Sequence, residues 1–159
     1  EPKYFEIAEK RINENIEMQL VELSEKEISN YQLTENDLLF GRRSIVLEGA
    51  GRCIYIGKLT KPVAFESSMI RVTLDKKVAE NRFVFEWFRS PHGAQKIDNI
   101  RTFTTVAGVK GSDVAKLQVP LPSLKVQKEI VEQLSAVRNA IQPVENSLAA
   151  AKNLRKKNA

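Results

Sequence analysis

The sequence predicts an α+β protein: a strand-rich globular domain followed by a long C-terminal helix of the coiled-coil type. Short apolar runs such as Leu38-Leu39-Phe40, and the alternation Ile70, Val72, Leu74, mark strands with buried faces. Phe83, Trp87 and Phe88 fall at helical spacing, which gives one helix an aromatic core face. Further on, Ile130, Leu134, Val137, Ile141, Val144, Leu148 and Ala151 are separated alternately by four and three residues, the seam of a coiled coil over three heptads.

In chain order, the first element after a polar, acidic entry is a helical turn at Ser24–Ile28, where Ser24 and Glu27 have the spacing of a capping box. Leu38–Phe40 and Ile45-Val46-Leu47 read as two short strands, with Gly41-Arg42-Arg43-Ser44 as the turn or loop between them. Gly49-Ala50-Gly51 interrupts the chain before a strand at Cys53–Ile56, and Lys61-Pro62 precedes the strand around Ile70–Leu74. Ser90-Pro91 stops or redirects the aromatic helix, and Ser90-Pro91-His92-Gly93 reads as a turn. Leu117–Pro122 is extended because each proline disfavours helix in the residue before it, and Ser123 stands where an N-cap is wanted. Pro143 lies inside the seam, so a kink or break is expected near 139–142. A helix over 124–158 is about 50 Å long, more than this domain can cover alone, so part of the seam is expected to meet another helix. The division expected is a domain at 1–122 and a helical spacer or dimerisation segment at 123–159.

Composition narrows the function. At 159 residues and 18.0 kDa there is room for one domain with an appended element, and 42% hydrophobic with 28% charged residues describes a chain that buries a core. One cysteine, Cys53, and one histidine, His92, exclude a disulfide framework and argue against a metal site. No apolar stretch approaches the ~20 residues of a membrane span, so a soluble, intracellular protein is expected. Gly57-Lys58 is followed by Leu59, which breaks the phosphate-loop pattern, and Gly49-x-Gly51 continues to Ile54, which breaks the dinucleotide fingerprint. No residue is assigned to catalysis, and neither cofactor nor metal is expected.

The charge is sided. Residues 1–40 carry ten acidic and four basic residues, residues 41–116 fourteen basic and seven acidic, and residues 117–159 seven basic and three acidic. A basic middle of net +7 is suited to a polyanion such as nucleic acid; RNA and acidic proteins answer to the same field.

Three strings stand together in a recognisable order: Leu33-Thr34-Glu35-Asn36-Asp37-Leu38-Leu39-Phe40-Gly41-Arg42; then Pro62-Val63-Ala64-Phe65-Glu66-Ser67 with Ile70-Arg71; then Pro120-Leu121-Pro122-Ser123-Leu124 with Gln127, Ile130 and Val131. Together they resemble the target-recognition half of a type I restriction-modification specificity subunit, over nearly the whole chain. Asn36 stands where that family often has glycine, and Asn also accepts positive φ. Val126 replaces a commonly acidic residue. The resemblance implies two such domains separated by long helices, each reading half of a split DNA site, with separate methyltransferase and restriction subunits doing the chemistry in a prokaryotic cytoplasm. One half is present. The chain starts without an initiator methionine, which leaves open both a piece of a longer subunit and a half-subunit pairing with a second copy.

On that reading the region 41–116 contacts double-stranded DNA. Arg42 and Arg43 are the first choice for base reading, because the guanidinium fork matches guanine O6 and N7. Arg52, Lys58, Lys61, Lys96, Arg101 and Lys110 suit phosphates, and Ser44, Ser67, Thr102, Thr104 and Thr105 suit shorter hydrogen bonds. The rival reading is a helical interaction adaptor that binds nucleic acid without sequence preference.

Overall fold

The structure, a computed structural model, describes residues 4–7, 20–103 and 105–157. The elements in order are β1 (Tyr4–Ile7), β2 (Leu20–Glu22), α1 (Glu25–Tyr31), β3 (Leu38–Gly41), β4 (Arg43–Ser44), β5 (Cys53–Tyr55), β6 (Val63–Ala64), β7 (Met69–Val72), α2 (Asn81–Arg89), α3 (Pro91–Asp98), β8 (Thr102–Phe103), β9 (Ala107–Gly108), α4 (Gly111–Val114) and α5 (Leu124–Lys157). The strands form three small sheets, ordered β2-β1-β6, β5-β3-β7 and β4-β9-β8.

The central sheet explains the unbroken run Leu38-Leu39-Phe40. Successive strand side chains point to opposite faces, and both faces of β3 are covered. Leu38 and Phe40 enter a core with Phe83, Val84, Phe88 and Ile97, while Leu39 meets Leu33, Val63, Phe65 and Met69 on the other side. Phe40 and Phe88 meet edge to face, their ring centres 5.1 Å apart. Asn36 takes the positive φ its position requires, 71°, in the turn that feeds β3. Ser24 and Glu27 close the capping box that starts α1.

Three local expectations are corrected. Ile45-Val46 does not form a strand; both residues are exposed in a bend, and Leu47–Gly49 is a 3-10 turn. Arg43-Ser44 is the strand instead. Ser90-Pro91-His92-Gly93 is the start of a helix rather than a turn: Ser90 caps α3, its Oγ accepting from Gly93 N at 3.2 Å, and Pro91 occupies the first turn, where no amide is needed. Finally, α5 is one helix of 34 residues running through Pro143 without a break. Residues 139–150 are all exposed, so water can solvate the carbonyl that proline leaves unpaired.

α5 is joined to the domain at two points. Gln127 is fully buried and hydrogen-bonds three separate stretches: its Oε1 accepts from Glu80 N at 2.9 Å, and its Nε2 donates to the carbonyls of Val78 at 2.8 Å and Pro122 at 2.7 Å. Glu80 in turn caps α2, its carboxylate accepting from Phe83 N at 2.6 Å. Three turns along α5, Arg138 grips Glu86 of α2 with both terminal nitrogens, at 2.8 and 2.7 Å, while Arg82 Nε approaches the same carboxylate at 3.1 Å. Between these points Ile130 and Val131 pack on the core.

Gln127→Leu fills a similar volume but leaves an amide and two carbonyls without partners. It should cost about 3 kcal/mol and lower the thermal midpoint by roughly 6–12 °C, as read by calorimetry; a loss under about 1 kcal/mol contradicts the assigned role. The hydrogen bonds from Arg138 hold the Glu86 carboxyl below its usual 4.5. A depressed acid contributes stability that is complete above its unfolded value and disappears as pH falls toward the folded one. Denaturant titrations from about pH 6 to about pH 3 should therefore show wild type losing more stability than Glu86→Gln.

Candidate nucleic-acid interface

The small sheet β4-β9-β8 is built from two-residue strands, and its register decides what it presents. Arg43 faces Gly108, which faces Thr102; one step along, Ser44 faces Ala107, which faces Phe103. Directly opposed residues share a face, so Arg43 and Thr102 stand side by side across a strand that has no side chain between them. A Cβ at Gly108 would lie 3.3 Å from the carbonyl of Arg42, so the floor is closely backed. Above it lies an open groove of about 640 Å³ whose lining includes Arg42, Arg43, Thr102, Thr105, Val106 and Lys110. Three cations and no carboxylate line it, so its lining carries net positive charge.

The backbone behind those side chains is fixed. Arg42 N donates to Ser68 O at 2.7 Å, and Arg42 O accepts from Val109 N at 3.0 Å, with Val109 buried in the core. The guanidinium is thus exposed while its main chain is pinned on both sides.

Five of the thirteen residues expected to touch nucleic acid therefore converge: Arg42, Arg43, Thr102, Thr105 and Lys110. The others scatter. Lys58 and Lys61 are exposed in the connection between β5 and β6, Ser67 is exposed in the turn before β7, and Lys96 is exposed on α3. Arg52 is exposed beside a second hollow of about 550 Å³, together with Tyr55, Phe85, Arg89 and Arg101. Thr104 lies outside the described residues.

Two placements correct the sequence reading. Ser44 is only 5% exposed and its Oγ accepts from Val46 N at 3.3 Å, so it shapes the bend and does not face outward. Arg101 is a structural tie: its Nε donates to the buried carbonyl of Ala50 at 2.7 Å and its Nη1 pairs with Asp98. Its guanidinium is already engaged by the protein.

Sequence reasoning also missed cations. Arg82 lies over the Tyr55 ring at 5.0 Å and Arg89 over Phe85 at 5.4 Å, both cation–π contacts on the outer face of α2. The signal was available, since Arg82, Phe85, Glu86 and Arg89 share the helical stripe opposite the buried Phe83, Val84 and Phe88. Burial pushes the Cys53 thiol up to about 12, which makes it a packing residue with no thiolate at neutral pH.

Along α5 the seam divides. Ile130 rests on the domain, whereas Leu134, Val137, Ile141, Val144, Leu148 and Ala151 are exposed. The 34-residue helix reaches about 51 Å at about 1.5 Å per residue, so an apolar stripe projects beyond the body that starts it.

Comparison with known proteins bears on all of this. The family model described as the type I restriction modification DNA specificity domain matches residues 2–153. The chain belongs to that family. A curated relative, the type I restriction enzyme EcoKI specificity subunit of Escherichia coli (strain K12), is 33% identical over 144 residues. That match takes in 87% of this chain and 31% of the relative, so the chain spans about a third of that subunit. Two solved structures share the fold. The HsdS subunit from Thermoanaerobacter tengcongensis superposes with a TM-score of 0.65 at 16% identity, over 94% of this chain and 40% of that one. The type I restriction-modification system S subunit from M. genitalium gives 0.61 at 13% identity, over 96% and 36%. In this specificity-domain fold the basic groove and the origin of α5 belong to one body, linked through β3, α2 and Gln127. Among the described residues no helix is long and apolar enough to cross a membrane.

Removing a structural tie and removing a surface cation have different consequences. Arg101→Ala leaves the carbonyl of the fully buried Ala50 without its donor, and should cost about 1–3 kcal/mol in chemical denaturation. Arg52→Ala, made on an exposed side chain, should stay within about 0.5 kcal/mol of wild type in the same measurement.

Proposed function

We propose that this chain recognises double-stranded DNA by sequence, reading one half of a bipartite target as part of a type I specificity subunit. The observation that carries the reading is the groove of the small sheet, where Arg42, Arg43 and Lys110 meet Thr102 and Thr105 over a glycine floor with no carboxylate among the lining residues. Duplex DNA offers phosphate charge along its length and acceptor pairs at its base edges. Lysine answers the first as a point charge, while arginine answers the second because its fork spans guanine O6 and N7. Pinned main chain at Arg42 lowers the ordering cost of such a contact. Lys58, Lys61, Lys96 and Arg52, spread around the domain, suit phosphates, which position without specifying.

In this reading residues 1–122 are the recognition domain and residues 123–159 the spacer or dimerisation segment. The exposed seam of α5 meets a second recognition half or a second copy of the chain, and the same helices hold methyltransferase and restriction subunits. Those subunits supply the catalysis; this chain has none of its own and works in the cytoplasm of a prokaryotic cell. A rod of about 51 Å suits a spacer, because half-sites lie about 34 Å apart for each turn of DNA.

The test is to assemble the chain with its modification subunits and map which bases of a duplex library become methylated. A split motif is expected; methylation without sequence preference overturns the reading. In binding titrations on the selected motif, Arg42→Ala should lose about 1–3 kcal/mol at one base position. Lys58→Ala should weaken all sequences alike and reduce the salt slope by about 1.

A further inference from the structure

Among the described residues outside α5, the most exposed apolar side chains are Ile45 at 89%, Phe103 at 63% and Val46 at 60%. All three belong to the small sheet or its direct continuation. Val106, also exposed, lines the basic groove itself. One exposed isoleucine needs no explanation, but four exposed apolar side chains drawn from one small sheet and its flanking bends call for a reason beyond the core.

The register places these residues. Ser44 faces Ala107 as the last registered pair, and Ile45 and Val106 lie immediately beyond it, in the bends that follow β4 and precede β9. Val106 is placed on the groove by its presence in the lining. The bend that carries Ile45 is held on both sides: Val46 N donates to the buried Ser44 Oγ at 3.3 Å, and Gly49 N donates to the Val46 carbonyl at 3.1 Å. Phe103 alternates with Thr102 along β8 and so faces away from the groove. The groove thus carries cations at Arg42, Arg43 and Lys110 and an apolar lining residue at Val106, with the exposed Ile45 beyond the same end of the sheet.

Base edges in the major groove present hydrogen-bonding groups and a single apolar one, the 5-methyl of thymine. Arginine and lysine gain nothing from that methyl, whereas a pinned aliphatic side chain beside them covers it. We infer that Ile45 and Val106 read a thymine methyl next to the base pair contacted by the arginines, so that the half-site contains a required thymine. This inference rests on the DNA-recognition reading given above. A protein partner would have to cover three cations along with these apolar side chains, which favours DNA as the occupant.

The experiment uses the chain assembled with its modification subunits. A half-site is first selected from a randomised duplex library, and each thymine is then replaced singly by deoxyuridine, which differs only by the missing methyl. One replacement should weaken wild type about fourfold, the effect of exposing one buried methyl. The same replacement should change the affinity of Ile45→Ala or Val106→Ala less than twofold, while their preference at guanine positions persists. Phe103→Ala should keep the full uracil penalty. Because all these side chains are exposed, thermal midpoints near wild type will verify that the variants fold. If every uracil duplex binds as its thymine parent does, or if Ile45→Ala and Val106→Ala keep the penalty, the thymine assignment is overturned. Sequence enrichment that still depends on Arg42 would then leave the DNA reading standing. A library in which nothing is enriched, with Arg42→Ala indistinguishable from wild type, overturns both.

Discussion

One buried amide sets the geometry of this protein. Gln127 occupies the second turn of the long helix, yet three of its hydrogen bonds go to chain that is not helical or belongs to another element: Val78, Glu80 and Pro122. An apolar residue there would pack equally well in many rotations of the helix. The amide has a donor end and an acceptor end, so it tolerates one. Arg138 then fixes the helix a second time, against Glu86, and two attachments about three turns apart define an axis where one would define only a pivot. The grip is bidentate, and a guanidinium fork on a carboxylate constrains orientation as well as distance. Through α2, whose Phe83, Val84 and Phe88 share a core with Leu38 and Phe40 of β3, that axis is referred to the strand that leads directly to Arg42 and Arg43.

The groove shows how a surface can be made reliable without large strands. Strands of two residues contribute few ladder hydrogen bonds, and an isolated sheet of that size would not persist. This one is anchored from behind: Arg42 is held by Ser68 and Val109, and Arg101 ties α3 to the carbonyl of Ala50. Gly51, at φ 73°, brings the preceding loop against Ile97 and Val109, where no side chain would fit. Stability is thereby supplied from the core, which leaves the outward positions free to carry charge. The corrected roles of Ser44 and Arg101 follow from this arrangement, because polar residues near the groove are needed to hold it as well as to line it.

What the sequence disclosed depends on whether the deciding force was local. The capping box at Ser24, the buried strand at Leu38–Phe40, the aromatic helix and the proline entry to α5 are written in spacing and backbone restriction, and all were legible. The five groove residues were also named, though as members of a wider list, since their meeting depends on a register between residues some sixty positions apart. Ile45-Val46-Leu47 misled because apolar character signals a strand only when something covers it. Pro91 misled in the opposite way: the same ring that ends one helix opens the next when it falls in the first turn. Arg101 looks like any surface arginine until the carbonyl it satisfies is seen.

Pro143 tests how far local rules reach along the rod. In a buried helix the lost amide would leave a carbonyl without a donor and force a kink or a break. Here the whole stretch from 139 to 150 is exposed, so the unpaired carbonyl is open to solvent, and the residues on either side stay helical, with Ser147 Oγ donating to the Pro143 carbonyl at 2.9 Å. The proline also lies between Ile141 and Val144, off the apolar seam, so its ring does not occupy a position that a facing helix would need. A break there would turn the distal seam into an independent segment with no fixed relation to Gln127. Continuity instead keeps Gln127, Arg138 and the exposed stripe out to Leu148 on a single helix, so the domain and the seam share one element.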